Sequence, residues 1–478
     1  MSIFRILAFF LVVSFVSFYL VNSNIITNAQ VEINIDNTAT SEAVTSLNDA
    51  ILKSLIIISQ VAVLGIVFNY FFFNIFLNKK RYNVLYKSKQ NNAYLWIKNL
   101  NPKRVTCVVI ICCISIVIFS TASILLQSYQ LAQSLDMDTL SAFDILYITS
   151  VGQVWILRIV TSSAIIGALL ISYSTERKHK NAYQTKNESL DEDTAFKISL
   201  NSNLPNYILL LIVIALSSIN LFSNSMLSHS NSLPLFSTFA VSMDWIHFMA
   251  VSVWIGGLFY LSLVLIKNLK PIDDQQQHND KSNNVNTVST VSNSAVFDRI
   301  IASVHSISIA LMYFSFIVII ALCIIGISGL YLGYVHLLDL NSVFNTQYGQ
   351  ILVLKLALAF PLIFIGRFNQ LKIFSYASLT SNFIKEISKY TDNKFLIQQY
   401  HQKTTPLFKK LNRSLKIESF LGIAVLIVAS FLSVTSPPSL EAISQNGSTV
   451  RDNNGISESN NSFFFYLVIA LVVIICAI

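Results

Sequence analysis

Four residues set the chemical question: Met226 and His229 stand three apart, and Met243 and His247 stand four apart. On a helix those spacings bring each pair to one face. Two thioethers and two imidazoles converging at one depth form a soft S/N donor set that suits Cu(I). Asp244, His336 and Asp339 lie in the same stretches and could add oxygen or nitrogen donors. A packing role competes with this reading, since Met fills irregular gaps between helices and an interfacial His hydrogen-bonds a neighbour. His179, His278 and His401 fall in polar stretches and read as solvated, and His305 lies apart from the others. Arg158 and Lys355 sit inside apolar segments, where charge is costly and marks function by default. Pairing with Asp144 or Asp244, or snorkelling to the interface, would instead make both cations structural. No nucleophile motif, phosphate loop or HExxH-type metal site occurs, so no enzymatic activity is expected.

The elements that must position these residues are membrane helices. The chain is 54% hydrophobic and only 12% charged, against roughly 25% charged in an ordinary soluble domain. Its apolar residues fall into blocks long enough to cross a bilayer, at 53–77, 105–127, 145–173, 206–228, 240–266, 307–335, 349–367 and 418–435. The fold class expected is an all-α polytopic membrane protein of eight helices, with 463–478 as a short ninth. The segments Lys79 to Arg104, Arg177 to Lys197 and Arg367 to Lys416 hold eight, five and ten Lys/Arg, whereas 128–144, 229–239 and 336–348 hold none. Basic loops stay in the cytoplasm, so the Met/His pairs belong at the outer face. The formal charge of +8 is thus a topology signal, and no nucleic-acid partner is expected. The cysteines show no disulfide or zinc spacing.

Residues 1–29 read as a signal peptide, with Arg5, an apolar run and Thr27-Asn28-Ala29 before Gln30. An external segment follows at 30–50 and the membrane domain at 51–438, with halves 51–228 and 234–438 and a cytoplasmic linker within the second at 267–299. An external polar linker spans 439–462. Thr149-Ser-Val-Gly-Gln-Val-Trp-Ile-Leu-Arg158 aligns without a gap on Thr346-Gln-Tyr-Gly-Gln-Ile-Leu-Val-Leu-Lys355. This predicts a 4+4 parallel repeat with Gly152 on Gly349 and Arg158 on Lys355. Gly256, Gly257, Gly329 and Gly333 are expected to allow close helix contact.

The segment Asp244-Trp-Ile-His247-Phe-Met-Ala-Val-Ser-Val-Trp254-Ile-Gly256-Gly257-Leu258 resembles the hallmark of copper resistance protein D (CopD) membrane proteins. Ser228-His229, Tyr348-Gly349-Gln350 through Lys355, and Arg413 to Glu418 through Pro437-Pro438 are similar to further segments of that family, and the likeness runs over roughly residues 51 to 438. Two positions depart from the pattern: Ser328-Gly329 stands for Thr-Gly, and Phe368-Asn369-Gln370 for Asn-Arg. The resemblance implies copper handling, as import or resistance across a prokaryotic cytoplasmic membrane, with a separate CopC-type protein as external donor. A cytochrome with His-ligated haem is the alternative, as is a non-transporting copper sensor or assembly factor that shares the same ligands.

Overall fold

A computed structural model describes residues 38–85, 102–184, 192–232, 237–265, 293–337, 340–387 and 394–439. Among them the chain is helical, without strands. The signal-peptide region, the linkers around 267–292 and 440–462, and the stretch 463–478 lie outside the described residues.

Eight helices are long and apolar enough to cross a membrane: spans 1 to 8 are Leu47–Phe73, Lys103–Leu135, Ser150–Ser172, Ile208–Met226, Ser237–Val264, Leu311–His336, Gln347–Lys372 and Lys409–Leu432. The chain is a multi-pass membrane protein. Helical backbone begins at Thr38, ahead of the boundary at 51 drawn from the sequence, because polar residues such as Asn48 and Asp49 continue the helix before the apolar run.

Span 1 packs against spans 2, 4, 5 and 8 and is the most enclosed of the eight. Within the first half, contacts join spans 1–2, 2–3, 3–4 and 1–4; in the second, the corresponding pairs 5–6, 6–7, 7–8 and 5–8 also pack. Lipid tails are as apolar as the side chains, so helix contact in a bilayer depends on close fit. The fit is close where the halves meet. A Cβ on Gly65 would collide with the Gly256 Cα, and one on Gly256 would collide with the Val61 carbonyl oxygen. Gly257 likewise leaves room for Phe314 and Asn69. Span 5 is wound as a π-helix over Ser252–Gly256, and the Asn69 amide donates to the Val253 carbonyl at 3.2 Å as well as to Gly65. Gly333 differs from expectation: among the described residues no neighbouring atom comes within 4 Å of where its Cβ would be, so it makes no close helix contact there, whereas Gly329 meets His247.

The repeated Thr-x-x-Gly-Gln motif has a local cause. Each half carries a short helix, Thr139–Ile148 or Leu340–Asn345, that turns directly into a span. The Thr149 hydroxyl donates to the Leu146 carbonyl and accepts from Gly152 N–H, and Thr346 does the same with Ser342 and Gly349. Gln153 and Gln350 reach back to the carbonyls of Ile148 and Phe344. A Cβ at Gly152 or Gly349 would collide with the carbonyl of Leu146 or Val343. Each residue type in the motif is therefore required by one tight corner.

Candidate functional site

The candidate site lies at the end of the bundle whose loops carry no Lys or Arg. Span 4 ends at Met226, and the chain tightens into a 3₁₀ turn at His229–Ser232. Leu227 and Ser228 N–H already donate to i−3 carbonyls, and the Ser228 hydroxyl caps Ser225. Met226 and His229 consequently lie on either side of the α-helix end and not within one continuous α-helix. Met226 is exposed, whereas the His229 ring is half-buried, approaches the Thr435 backbone and leaves Nε2 without a hydrogen-bond partner. Burial, and after it the Lys53 charge, lowers the His229 pKa below its ordinary value, so the ring is neutral at neutral pH.

His336, 6% exposed at the end of span 6, is within electrostatic reach of His229. Its Nε2 is 3.3 Å from the Ser230 hydroxyl, its ring meets Tyr348 edge-on at 6.1 Å, and its Nδ1 is unpartnered. Met243, Asp244 and His247 share the helix Ser237–Val251. His247 points at span 6, with Nδ1 2.9 Å from the Ser328 hydroxyl, and a Cβ on Gly329 would touch its ring at 3.3 Å. Gly329 thus makes space for a histidine. Asp244 lies beside Ser225 and Ser228, with Oδ2 making no ordinary hydrogen bond, and feels both Lys355 and Lys53. Lys355 acts on His247 as well. The order His336, His229, Lys53, Asp244, Lys355, His247 is therefore one connected polar cluster.

Lys53 was not anticipated from the sequence. Its signal was available, as a lone cation at the start of an apolar run, but the run was taken to begin there. Its ammonium also donates to the Ser433 carbonyl at 3.1 Å. Asp339 lies outside the described residues. Among the described residues, no group of three or more His, Cys, Asp or Glu is poised around one point as a metal site.

Arg158, whose charge also reaches Lys53, is held by a hydrogen-bond network of its own. It is fully buried, and its expected partner Asp144 is exposed. Nε donates to the Ser223 hydroxyl at 2.6 Å, Nη2 to Asn224 Oδ1 at 2.8 Å, and the guanidinium lies 4.3 Å over the Trp155 ring. Asn220, Asn224, Gln60, Thr161 and Ser162 extend these bonds across spans 1, 3 and 4. Lys355, at the matching position of the second half, instead faces Asp244.

Residues 308–432, from span 6 to the end of span 8, match the family described as "Copper resistance protein D". The match covers about a quarter of the chain. The matched segment contributes His336, Tyr348 and Lys355 to the cluster, while His229 and His247 come from before it. The chain is also 26% identical over 202 residues to a protein of Bacillus subtilis (strain 168) named "Copper transport protein CutJ"; the match covers 42% of this chain and 26% of the relative. The aligned segment spans about a quarter of that relative's length. No solved structure matches the chain.

Proposed function

We propose that this protein moves copper across a prokaryotic cytoplasmic membrane, accepting it at the charge-poor end, which faces outward. The observation that carries the reading is a pair of imidazole nitrogens, His229 Nε2 and His336 Nδ1, that are enclosed and have no hydrogen-bond partner. Neutral imidazole is a good copper ligand. Met243 would supply the soft donor favouring Cu(I), with His247 one turn further along the same helix. Met226, exposed at the end of span 4, is left with capture before entry. The neighbouring Lys53 and Lys355 oppose a resident cation, which fits transient passage better than storage. The name of the CutJ relative and the family description support copper as cargo, and a CopC-type protein is the natural external donor.

The test is copper content by mass spectrometry, with copper uptake into proteoliposomes alongside. His229→Ala and His336→Ala should each lower bound copper at least tenfold, and His278→Ala should not. If the His229/His336 double variant binds and moves copper like wild type, the cluster is packing and the proposal fails.

A further inference from the structure

At the opposite, basic end of the bundle a small cavity of about 40 Å³ opens between spans 5, 6, 7 and 8. One of its walls is Glu418, 3% exposed at the start of the apolar run of its helix, two residues past the exposed Lys416. No cation is among the groups acting on this carboxyl. Asn369 Nδ2 donates to Oε2 at 2.7 Å, and Gly366 makes room, since a Cβ there would lie 3.2 Å from Oε1. Two further polar atoms at the cavity are unsatisfied. Asn369, itself 2% exposed, has Oδ1 without a donor, and the Trp254 indole N–H is directed at the carboxyl without forming an ordinary hydrogen bond.

Burial strongly disfavours an anion that has no counter-cation among the described residues, and binding a proton removes that cost. The neutral acid then has one O–H to donate, and Asn369 Oδ1 is the acceptor left open beside it. Arg367 is the other charged group in the lining, and it donates to Gln370 at 3.3 Å. The facing walls, Trp254 of span 5 and residues such as Phe314, Ser315 and Val318 of span 6, carry no charge. A guanidinium at the rim disfavours a metal cation and tolerates a proton delivered through water. We propose that Glu418 is a proton-exchange site, loaded from the basic end through this cavity. Hydronium at that end gives up its proton, the Glu418 carboxylate takes it, and no electron moves. Nothing in this assignment involves the His cluster, so it stands whether or not copper is the cargo.

The experiment is infrared difference spectroscopy on the full-length protein in vesicles, without copper, as pH is stepped from mildly alkaline to mildly acid. A protonated-carboxyl band should grow in wild type and be missing in Glu418→Gln, while Asp244→Asn retains it. Asn369→Val keeps Glu418 but deletes its partner, so the same band should persist at a shifted frequency; this arm remains informative if Glu418→Gln folds poorly. With pH stepped on one side only, the band should respond at the basic end. A Glu418→Gln spectrum identical to wild type, or a band that answers only to pH at the charge-poor end, overturns the proposal.

Discussion

His229 shows why a ligand's surroundings matter as much as its type. An imidazole in water competes for protons near its ordinary pKa of about 6.5. In the structure that pKa is lowered by burial first and by Lys53 second. Protonation competes with metal, so copper should stay bound through pH ~6.5 and dissociate only in more acid solution. Removing the Lys53 charge reverses part of this: in Lys53→Met the pKa of copper-free His229 should rise back toward its ordinary value. Equilibrium dialysis across a pH series measures copper release, an NMR titration of the copper-free protein measures the His229 midpoint, and an unchanged His229 midpoint in the variant would mean that Lys53 does not act on the ring. Arg158 carries a different expectation. Its donors end on Ser223 and Asn224, so Arg158→Leu strands buried acceptors and should cost on the order of 2 kcal/mol, read as a lower unfolding temperature in detergent. Arg158→Lys should recover little of it, because an ammonium cannot reproduce the fork.

At the level of elements, the two Thr corners and the Gly65–Gly256 crossing are the joints of the bundle. Thr149→Val and Thr346→Val each delete a hydroxyl that both donates and accepts, and each should lose about 1 kcal/mol. Similar losses in the two halves would show that the repeated motif does the same mechanical work twice. Gly256→Ala should be worse, at about 1–3 kcal/mol, because the new methyl meets backbone that cannot rotate away. Gly333→Ala is the internal control and should be neutral, having open space around it. Equal effects at Gly256 and Gly333, measured by thermal unfolding, would contradict the crossing geometry.

Across the whole molecule, legibility followed the range of the forces involved. Eight spans were readable because hydropathy acts residue by residue over about 20 positions, and the Thr-Gly-Gln repeat was readable because its cause is a local corner. Met226 and His229 straddle a helix end that spacing does not reveal, because the hydrogen bonds of Leu227 and Ser228 that tighten the chain there leave no mark in the apolar pattern. Arg158 and Glu418 were seen only as isolated charges or motif letters, since their partners lie 49 or more positions away in sequence. Orientation is the remaining global property, and it follows from loop charge. The loops at 128–144, 229–239 and 336–348 hold no Lys or Arg, while the opposite end is heavily basic, so the His cluster should face outward. Ser342, at the outer end, is buried and would resist a label, whereas Thr139 and Lys410 are exposed at opposite ends. In a background lacking the native cysteines, Thr139→Cys should react with an impermeant maleimide in intact cells and Lys410→Cys only after permeabilisation. The reverse pattern would invert the bundle, turning the His cluster toward the cytoplasm and the Glu418 cavity outward, so that copper would enter where we place proton exchange.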